Sequence, residues 1–186
     1  MSGRKRILLV VLVLIALFAL FEALGIRQQF SLEAVKSVIM THKFAGILLF
    51  ALLFALGNLI QIPGWIFLAA AVLALGRLWG GVATYVAACF SCMLTYLSIR
   101  YIGGNALREI DNRLAKRLLA GLDKHPLMSI IALRMLMQTL PALNYTLALS
   151  GVRMRHYVLG TLLGLPLPIA LYCIFFDYLA QVLHIS

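Results

Sequence analysis

The sequence predicts an all-α integral membrane protein, and three observations carry that expectation. Apolar residues make up 63% of the 186 positions, charged residues only 12%, and the mean hydropathy is +1.02. Soluble domains are nearer half apolar and a quarter charged, so this chain carries more apolar surface than one core can hide. The basic residues sit between long apolar runs, and two of those runs are interrupted by proline. The architecture expected is an N-terminal anchor helix followed by an inverted repeat, each half a re-entrant hairpin and a full transmembrane helix. A formal net charge of +10 would indicate nucleic acid in a soluble protein. Placed between apolar runs, the same cations read as topology signals and contacts to anionic lipid headgroups. No linker divides the chain. Residues 1–43 read as anchor and interfacial segment, and residues 44–186 as one membrane domain.

The anchor comes first. Arg4, Lys5 and Arg6 precede an apolar run from Ile7 to Phe21, which resembles the start of a signal peptide. No small-x-small cleavage site follows, and the run extends to Gly25, nearly the length needed to cross a hydrocarbon core of about 30 Å. An uncleaved helix is expected. Ser31 to Lys43 is amphipathic, with Ser31 and Glu33 as helix-start residues, and is expected at the membrane surface. Phe44 to Gly76 is a block of 33 residues broken at Pro63-Gly64. That is too long for one span and too short for two spans of about 20 residues plus a turn. Pro63 removes a backbone donor and Gly64 frees the chain, so a re-entrant hairpin over 44–76 fits.

The span 78–99 follows, ending at Arg100. Asn105 to Lys124 is basic, with apolar positions at Leu107, Ile110, Leu114, Leu118 and Leu122, the pattern of one interfacial helix. Residues 126–151 are again apolar and interrupted, at Pro141 and Asn144, giving a second hairpin. Residues 157–178 form the last span, kinked at Pro166 and Pro168. Charge fixes the orientation. With Arg4, Lys5 and Arg6 in the cytoplasm, Arg100, Arg108, Arg113, Lys116, Arg117, Lys124, Arg153 and Arg155 fall on the same side. Arg27, Lys36, Lys43 and Arg77 fall outside, in accord with the positive-inside rule. Small size and simple topology point to a bacterial inner membrane.

The polar residues left inside the apolar blocks are Asn58, Gln61, Arg134, Gln138, Thr139, Asn144 and Tyr145. A charge at the bilayer centre costs at least about 2.5–3.5 kcal/mol, so Arg134 needs a reason. Two readings stand. Arg134 holds an anionic group such as a lipid phosphate in a water-filled cavity, helped by free backbone donors at the breaks near Pro63, Gly64 and Pro141. Alternatively it bonds the exposed carbonyls of a broken helix or snorkels to the interface. For Asn58, Gln61 and Gln138 interhelical hydrogen bonds compete with a substrate role. Glu22 and Asp177 lie near interfaces, and neither hairpin holds a carboxylate, which counts against simple proton coupling. Cys89 and Cys92 lack a second ligand pair and read as packing residues. His42, His125, His156 and His184 share no metal-like spacing. Gly76-x-x-x-Gly80 and Gly160-x-x-x-Gly164 permit close helix contact, within one chain or between copies in a homo-oligomer. Catalysis, a cofactor and a metal are not indicated.

These residues also resemble a family. Ile62-Pro63-Gly64 with the alanine-rich segment after it, then Gly76, Trp79 and Gly80, resembles the first hairpin of the VTT-domain proteins, which include the DedA and SNARE-associated Golgi proteins. Arg100-Tyr101-Ile102-Gly103 resembles the element closing that family's following span. Leu133-Arg134, Pro141, Asn144 and Gly151 resemble its second motif, and Gly160-Thr161, Gly164 and Pro166 its last span. The resemblance implies two facing re-entrant hairpins and movement of lipids across the bilayer, by scramblases or by translocases of undecaprenyl phosphate. Some members are coupled to protons through acids near the first hairpin. Here Asn58, Gln61 and Trp65 stand there instead, which places the chain nearer the Golgi-type branch. The expected function is translocation of a phosphate-bearing lipid, with Arg134, Asn58, Gln61, Pro63, Gly64, Gln138, Pro141, Asn144 and Tyr145 at the site. A small-solute or ion carrier, and an assembly protein acting through its basic helix, remain alternatives.

Overall fold

A computed structural model describes residues 3–23, 43–59, 62–138 and 140–182. The surface segment expected over 31–43 lies outside them except for its last residue, as do Gln61 and Thr139. Every regular element among the described residues is helical. Helix α1 (Gly3–Ala23) covers most of the expected anchor. Leu8, Leu12, Ile15 and Leu20 along it are exposed, while Val10 is buried. A helix that is apolar all round and still uncovered fits lipid better than water.

Helices α2 (Lys43–Leu59) and α3 (Gly64–Gly103) meet at a sharp break. Pro63 is extended (φ −61°, ψ 130°) and the Ile62 amide bonds back to the Gly57 carbonyl at 2.8 Å. Phe50, Phe54 and Phe67 pack across the break, with ring centroids 5.0–6.3 Å apart. The chain turns a second time at Gly76 (φ 77°, ψ 170°), a conformation essentially closed to other residues. The stretch before Gly76 folds back along the stretch after it. A β-carbon at Gly80 would stand 2.5 Å from the Ala71 carbonyl oxygen. The glycine pair expected to allow close helix contact is thus used at Gly80 inside this chain.

Beyond Gly103 the single amphipathic helix expected over 105–124 divides. A short 3-10 helix (Ala106–Glu109) is followed by extended Ile110 and then by α4 (Arg113–Lys124). Asp111 and Asn112 explain the division, because short polar side chains favour turns over helix interiors. The Asn112 carbonyl accepts the Lys116 amide and so begins α4. Leu119 and Leu122 of α4 are buried against the protein. Arg108 grips Asp123 with two hydrogen bonds, 2.6 and 3.1 Å, and these hold the Asp123 carboxyl below its ordinary range.

The second half repeats the backbone order of the first. Helix α5 (Pro126–Met137) ends at a break, α6 (Pro141–Leu149) returns, and Gly151 (φ 81°) reverses the chain as Gly76 does. Helices α7 (Met154–Gly164) and α8 (Pro166–Val182) form one long apolar rod bent at Leu165, where the kink was expected. Pro166 has no amide to offer the Leu162 carbonyl, and the Tyr85 hydroxyl donates to it instead at 3.0 Å. The carbonyls at the end of α6 are met the same way. Ala148 accepts from Arg100, Ser150 from Arg108 and Val152 from Tyr96, at 3.2, 2.7 and 2.7 Å. Arg100 therefore has a structural partner. Arg77 and Asp177 approach to 3.7 Å and place the start of the long part of α3 beside the end of α8.

Two of these helices are long and apolar enough to cross a membrane, Gly64–Gly103 and Met154–Val182, while α5 and most of α2 are apolar but shorter. Substitution separates the roles of the glycines. Gly76→Ala strains the backbone and Gly80→Ala forces it apart, so each is expected to lose about 1–3 kcal/mol. Gly121→Ala, whose β-carbon would meet only the Ser129 hydroxyl at 3.7 Å, gains helix propensity of up to about 1 kcal/mol. Thermal unfolding in detergent should show midpoints lowered by the first two and not by the third.

Candidate functional site

Two small residues let an arginine into the protein. Gly160 and Gly164 stand one turn apart on α7, and α5 lies directly on them. A β-carbon at Gly160 would come within 2.6 Å of the Ile130 side chain, and one at Gly164 within 2.7 Å of the Arg134 β-carbon. This second glycine pair is also used within the chain. Arg134, in the last turn of α5, is completely buried. Its Nη2 donates to the Tyr157 hydroxyl at 2.9 Å and to Thr161 Oγ1 at 3.2 Å. Both acceptors lie on one face of α7, at i and i+4. Nη1 reaches the Gln138 carbonyl at 3.4 Å, and the guanidinium carbon sits 5.3 Å from the centre of the Tyr157 ring.

Tyr157 organises what surrounds it. Its ring stacks on Tyr96 with centroids 4.4 Å apart. Its one hydroxyl proton is shared between the Cys92 carbonyl (3.0 Å) and Asn144 Oδ1 (3.1 Å). None of these partners is a carboxylate, so the guanidinium charge is stabilised by dipoles and a ring face alone. Among the described residues, Arg134 Nε and Asn144 Nδ2 have no hydrogen-bond partner. Two buried donors thus lack an acceptor in one network, the condition under which an anion or a water is favoured.

The break between α5 and α6 is strained. Gln138 has φ 40° and ψ −114°, the values of the second residue of a type II′ turn, where glycine is preferred. The Leu140 amide closes the turn onto the Met137 carbonyl at 2.9 Å. Arg134 brackets the strained residue, since its carbonyl accepts the Gln138 amide at 2.8 Å while its side chain donates to the Gln138 carbonyl. Strain of this kind persists where the surroundings over-determine it, and it gathers at functional sites.

The two breaks face each other across a cleft of about 550 Å³. Pro63, Gly64 and Trp65 line it from the first break, and Met135 to Gln138 with Leu140 from the second. Pro168 and Tyr172 of α8 complete the wall. Pro63 caps α3 without a side-chain hydrogen bond, and the Gly64 and Trp65 amides that open the helix have no intrahelical partner. A direct tie joins the halves nearby. The Tyr145 hydroxyl donates to the Leu59 carbonyl at 2.9 Å, with the Asn58 carbonyl at 3.4 Å.

Of the residues singled out in the sequence, Pro63, Gly64 and Gln138 share this cleft. Arg134 and Asn144 form the buried network behind it, and Arg134 does not line the cleft. Asn58 donates to Ser91 at 2.9 Å, Tyr145 ties the halves together, and Pro141 opens α6 just past the turn. Gln61 lies outside the described residues. Sequence reasoning missed Tyr157, Thr161 and Ser91 as partners of buried polar groups. The available signal was the interleaving of Tyr157 and Thr161 with Gly160 and Gly164, which marks a closely packed, partly polar helix face.

A family model described as the VTT domain matches residues 62–178. That interval holds both turns, the cleft and every member of the arginine network. The match is to the domain as a whole and selects no branch within it. Comparison with curated proteins found no match. Comparison with solved structures found none either.

The turn supplies its own test. Gln138→Gly removes strain of about 1–3 kcal/mol, offset by the roughly 0.5–1 kcal/mol that an added glycine costs in chain entropy. The expected result is a higher unfolding midpoint in detergent than for wild type, while Gln138→Ala, which keeps the strain, gives no increase. A lower midpoint for the glycine variant would show that the turn is not strained.

Proposed function

The chain belongs to the VTT-domain family, and from that premise we propose that it lets a phosphate-bearing lipid cross the bilayer between its two helix breaks. It is a membrane protein, with long apolar helices and family membership in agreement. In this reading the four short helices α2, the part of α3 before Gly76, α5 and α6 form two re-entrant hairpins that enter from opposite faces. At about 1.5 Å per residue, 17 residues of α2 and 12 of α5 fall short of the roughly 30 Å needed to cross. Their breaks then lie at membrane depth, where irregular backbone is tolerated if it lines a cavity. In the same reading the basic residues gathered near α4 lie with the N-terminus on the cytoplasmic side of a bacterial inner membrane, as the positive-inside rule favours.

The observation that carries the proposal is the meeting of both breaks at one cleft. A headgroup there finds the free first amides of α3 at Gly64 and Trp65, and the Gln138 side chain. Arg134 lies directly behind Gln138, with a weak 3.4 Å bond to exchange for a phosphate oxygen and an unpaired Nε. An arginine suits this task, because its planar fork grips two phosphate oxygens. The acyl chains remain in lipid, beside the apolar residues that α3 and α8 leave uncovered. Neither break holds a carboxylate. That favours energy-independent movement over proton coupling, and a place nearer the Golgi-type branch. It also weighs against a gradient-driven carrier of small solutes.

The test is lipid scrambling by the purified full chain in liposomes, using fluorescent phospholipid and a membrane-impermeant quencher. Quenching beyond that of empty vesicles is expected. Arg134→Ala should abolish the excess, and Arg134→Lys, which loses the fork, should slow it about tenfold, equivalent to about 1.4 kcal/mol. Because Arg134 is also part of the packing, Gln138→Ala serves as the second variant, removing a side chain at the cleft. Slowed scrambling by a Gln138→Ala protein that still elutes as one species separates function from folding. No excess quenching by correctly inserted wild type would overturn the proposal.

A further inference from the structure

Where the long part of α3 lies against α8, a groove of about 540 Å³ follows the contact. Arg77, Gly81 and Tyr85 line it from one face of α3, each a turn from the next, and Pro166, Ala170 and Cys173 line it from α8. The two rows run antiparallel, and Asp177 continues the α8 row one turn beyond Cys173, opposite Arg77. Gly81 and Ala170 contribute almost no side chain, which leaves the space open. Eight residues separate Arg77 from Tyr85, about 12 Å along the helix. Leu78, Val82 and Ile174 on the rim are exposed. The walls are apolar except at one end, where Arg77 and Asp177 stand 3.7 Å apart, with side chains 60% and 31% exposed. Among the described residues Arg77 makes no hydrogen bond, and Asp177 accepts only from Gln181, through Oδ2 at 3.4 Å. Its Oδ1 is free. An apolar groove that carries a cation and a carboxylate together at its mouth is complementary to one kind of molecule, a hydrocarbon chain with adjacent anionic and cationic groups at its head.

We propose that this groove seats one phospholipid whose headgroup bears a primary ammonium, of the phosphatidylethanolamine type. Its phosphate lies on Arg77, its ammonium on Asp177, and one acyl chain runs over Gly81 and Ala170 toward Tyr85 and Pro166. The charge pattern decides among lipids. A guanidinium fork suits a phosphate. A headgroup that is only anionic would meet Arg77 but be repelled by the carboxylate beside it. A choline headgroup brings a cation with no N–H to donate, whereas a primary ammonium brings three donors. The looseness of the Arg77–Asp177 pair fits the same reading. Arg108 and Asp123 close on each other with two hydrogen bonds and have little left to offer. At 3.7 Å, Arg77 and Asp177 keep donors and an acceptor for a third party. No residue lines both this groove and the cleft between the breaks, so the seat stands apart from the transport path proposed above.

The test is lipid retention by the full chain in mixed micelles of phosphatidylethanolamine, phosphatidylcholine and phosphatidylglycerol, in equal amounts with matched acyl chains, read by native mass spectrometry. Wild type is expected to hold one phosphatidylethanolamine, about fivefold over either competitor. Asp177→Asn keeps the shape of the side chain and removes its charge, and should bring the three lipids to equal retention. Ala170→Trp, at an exposed position on the groove wall, should remove the bound lipid by filling its place. If that bulky variant does not fold, Asp177→Asn carries the test alone, since it alters one partly exposed group. Equal retention of the three lipids by wild type, a preference for phosphatidylglycerol, or a preference unmoved by Asp177→Asn would overturn the seat. Undiminished retention by a folded Ala170→Trp protein would place the lipid elsewhere and overturn it as well.

Discussion

A helix that stops among packed apolar neighbours leaves carbonyl groups with no partner of their own, and the rest of this structure is arranged around that constraint. Each orphaned carbonyl costs several kcal/mol in hydrocarbon unless a donor reaches it. Four helix interruptions are answered here by side chains from another helix or from the preceding turn. Tyr145 reaches the end of α2, Arg134 the turn after α5, Arg100, Arg108 and Tyr96 the end of α6, and Tyr85 the carbonyl that Pro166 releases. The donors are tyrosines and arginines, long side chains with a polar tip, which can cross a helix interface while packing their apolar stems. The fold is thus held by contacts that exist because the helices are broken.

Arg134 goes beyond that logic. Capping one carbonyl would not require a buried cation, since a tyrosine does the same for α2. The cation is kept without an acid beside it, and its stabilisation comes from Tyr157, Thr161 and one weak carbonyl bond. Burying a charge with neutral partners only is costly, and adding a carboxylate would relieve it. Under the proposed function, leaving it positive preserves attraction for an anion that comes and goes. The strain at Gln138 agrees with this, because a glycine would serve the turn better if stability alone mattered.

Much of the organisation was legible in the sequence because membranes simplify the code. Apolar run lengths located the helices, Pro63, Pro141 and Pro166 located the breaks, and a lone arginine in an apolar block announced itself by its cost. Residues that act through their neighbours were not legible. Tyr157 looks like an ordinary interfacial tyrosine at the head of a span, and only the approach of α5 over Gly160 and Gly164 makes it the partner of Arg134. The division of the basic segment at Ile110 to Asn112 was hidden for a related reason. A helical pattern of leucines survives across a short turn, so the periodicity predicted continuity where Asp111 and Asn112 impose a stop.

The long part of α3 decides how such a molecule can move. Asn58 of α2 donates to Ser91, and Tyr157 of α7 donates to the carbonyl of Cys92. One helix from each half is therefore tied to neighbouring residues of one rod, and Tyr145 ties the halves to each other directly. Separating the halves as rigid bodies would break the bonds of Tyr157 and Tyr145, together with those from Tyr85, Tyr96 and Arg100, in a low-dielectric core, where each is worth more than in water. Displacing the turn at Gln138 would break the 3.4 Å bond from Arg134 and at most the two backbone bonds of the turn, and would release strain in doing so. If the cleft opens as the proposed function requires, opening it at that turn with α3 fixed breaks fewer bonds than separating the halves.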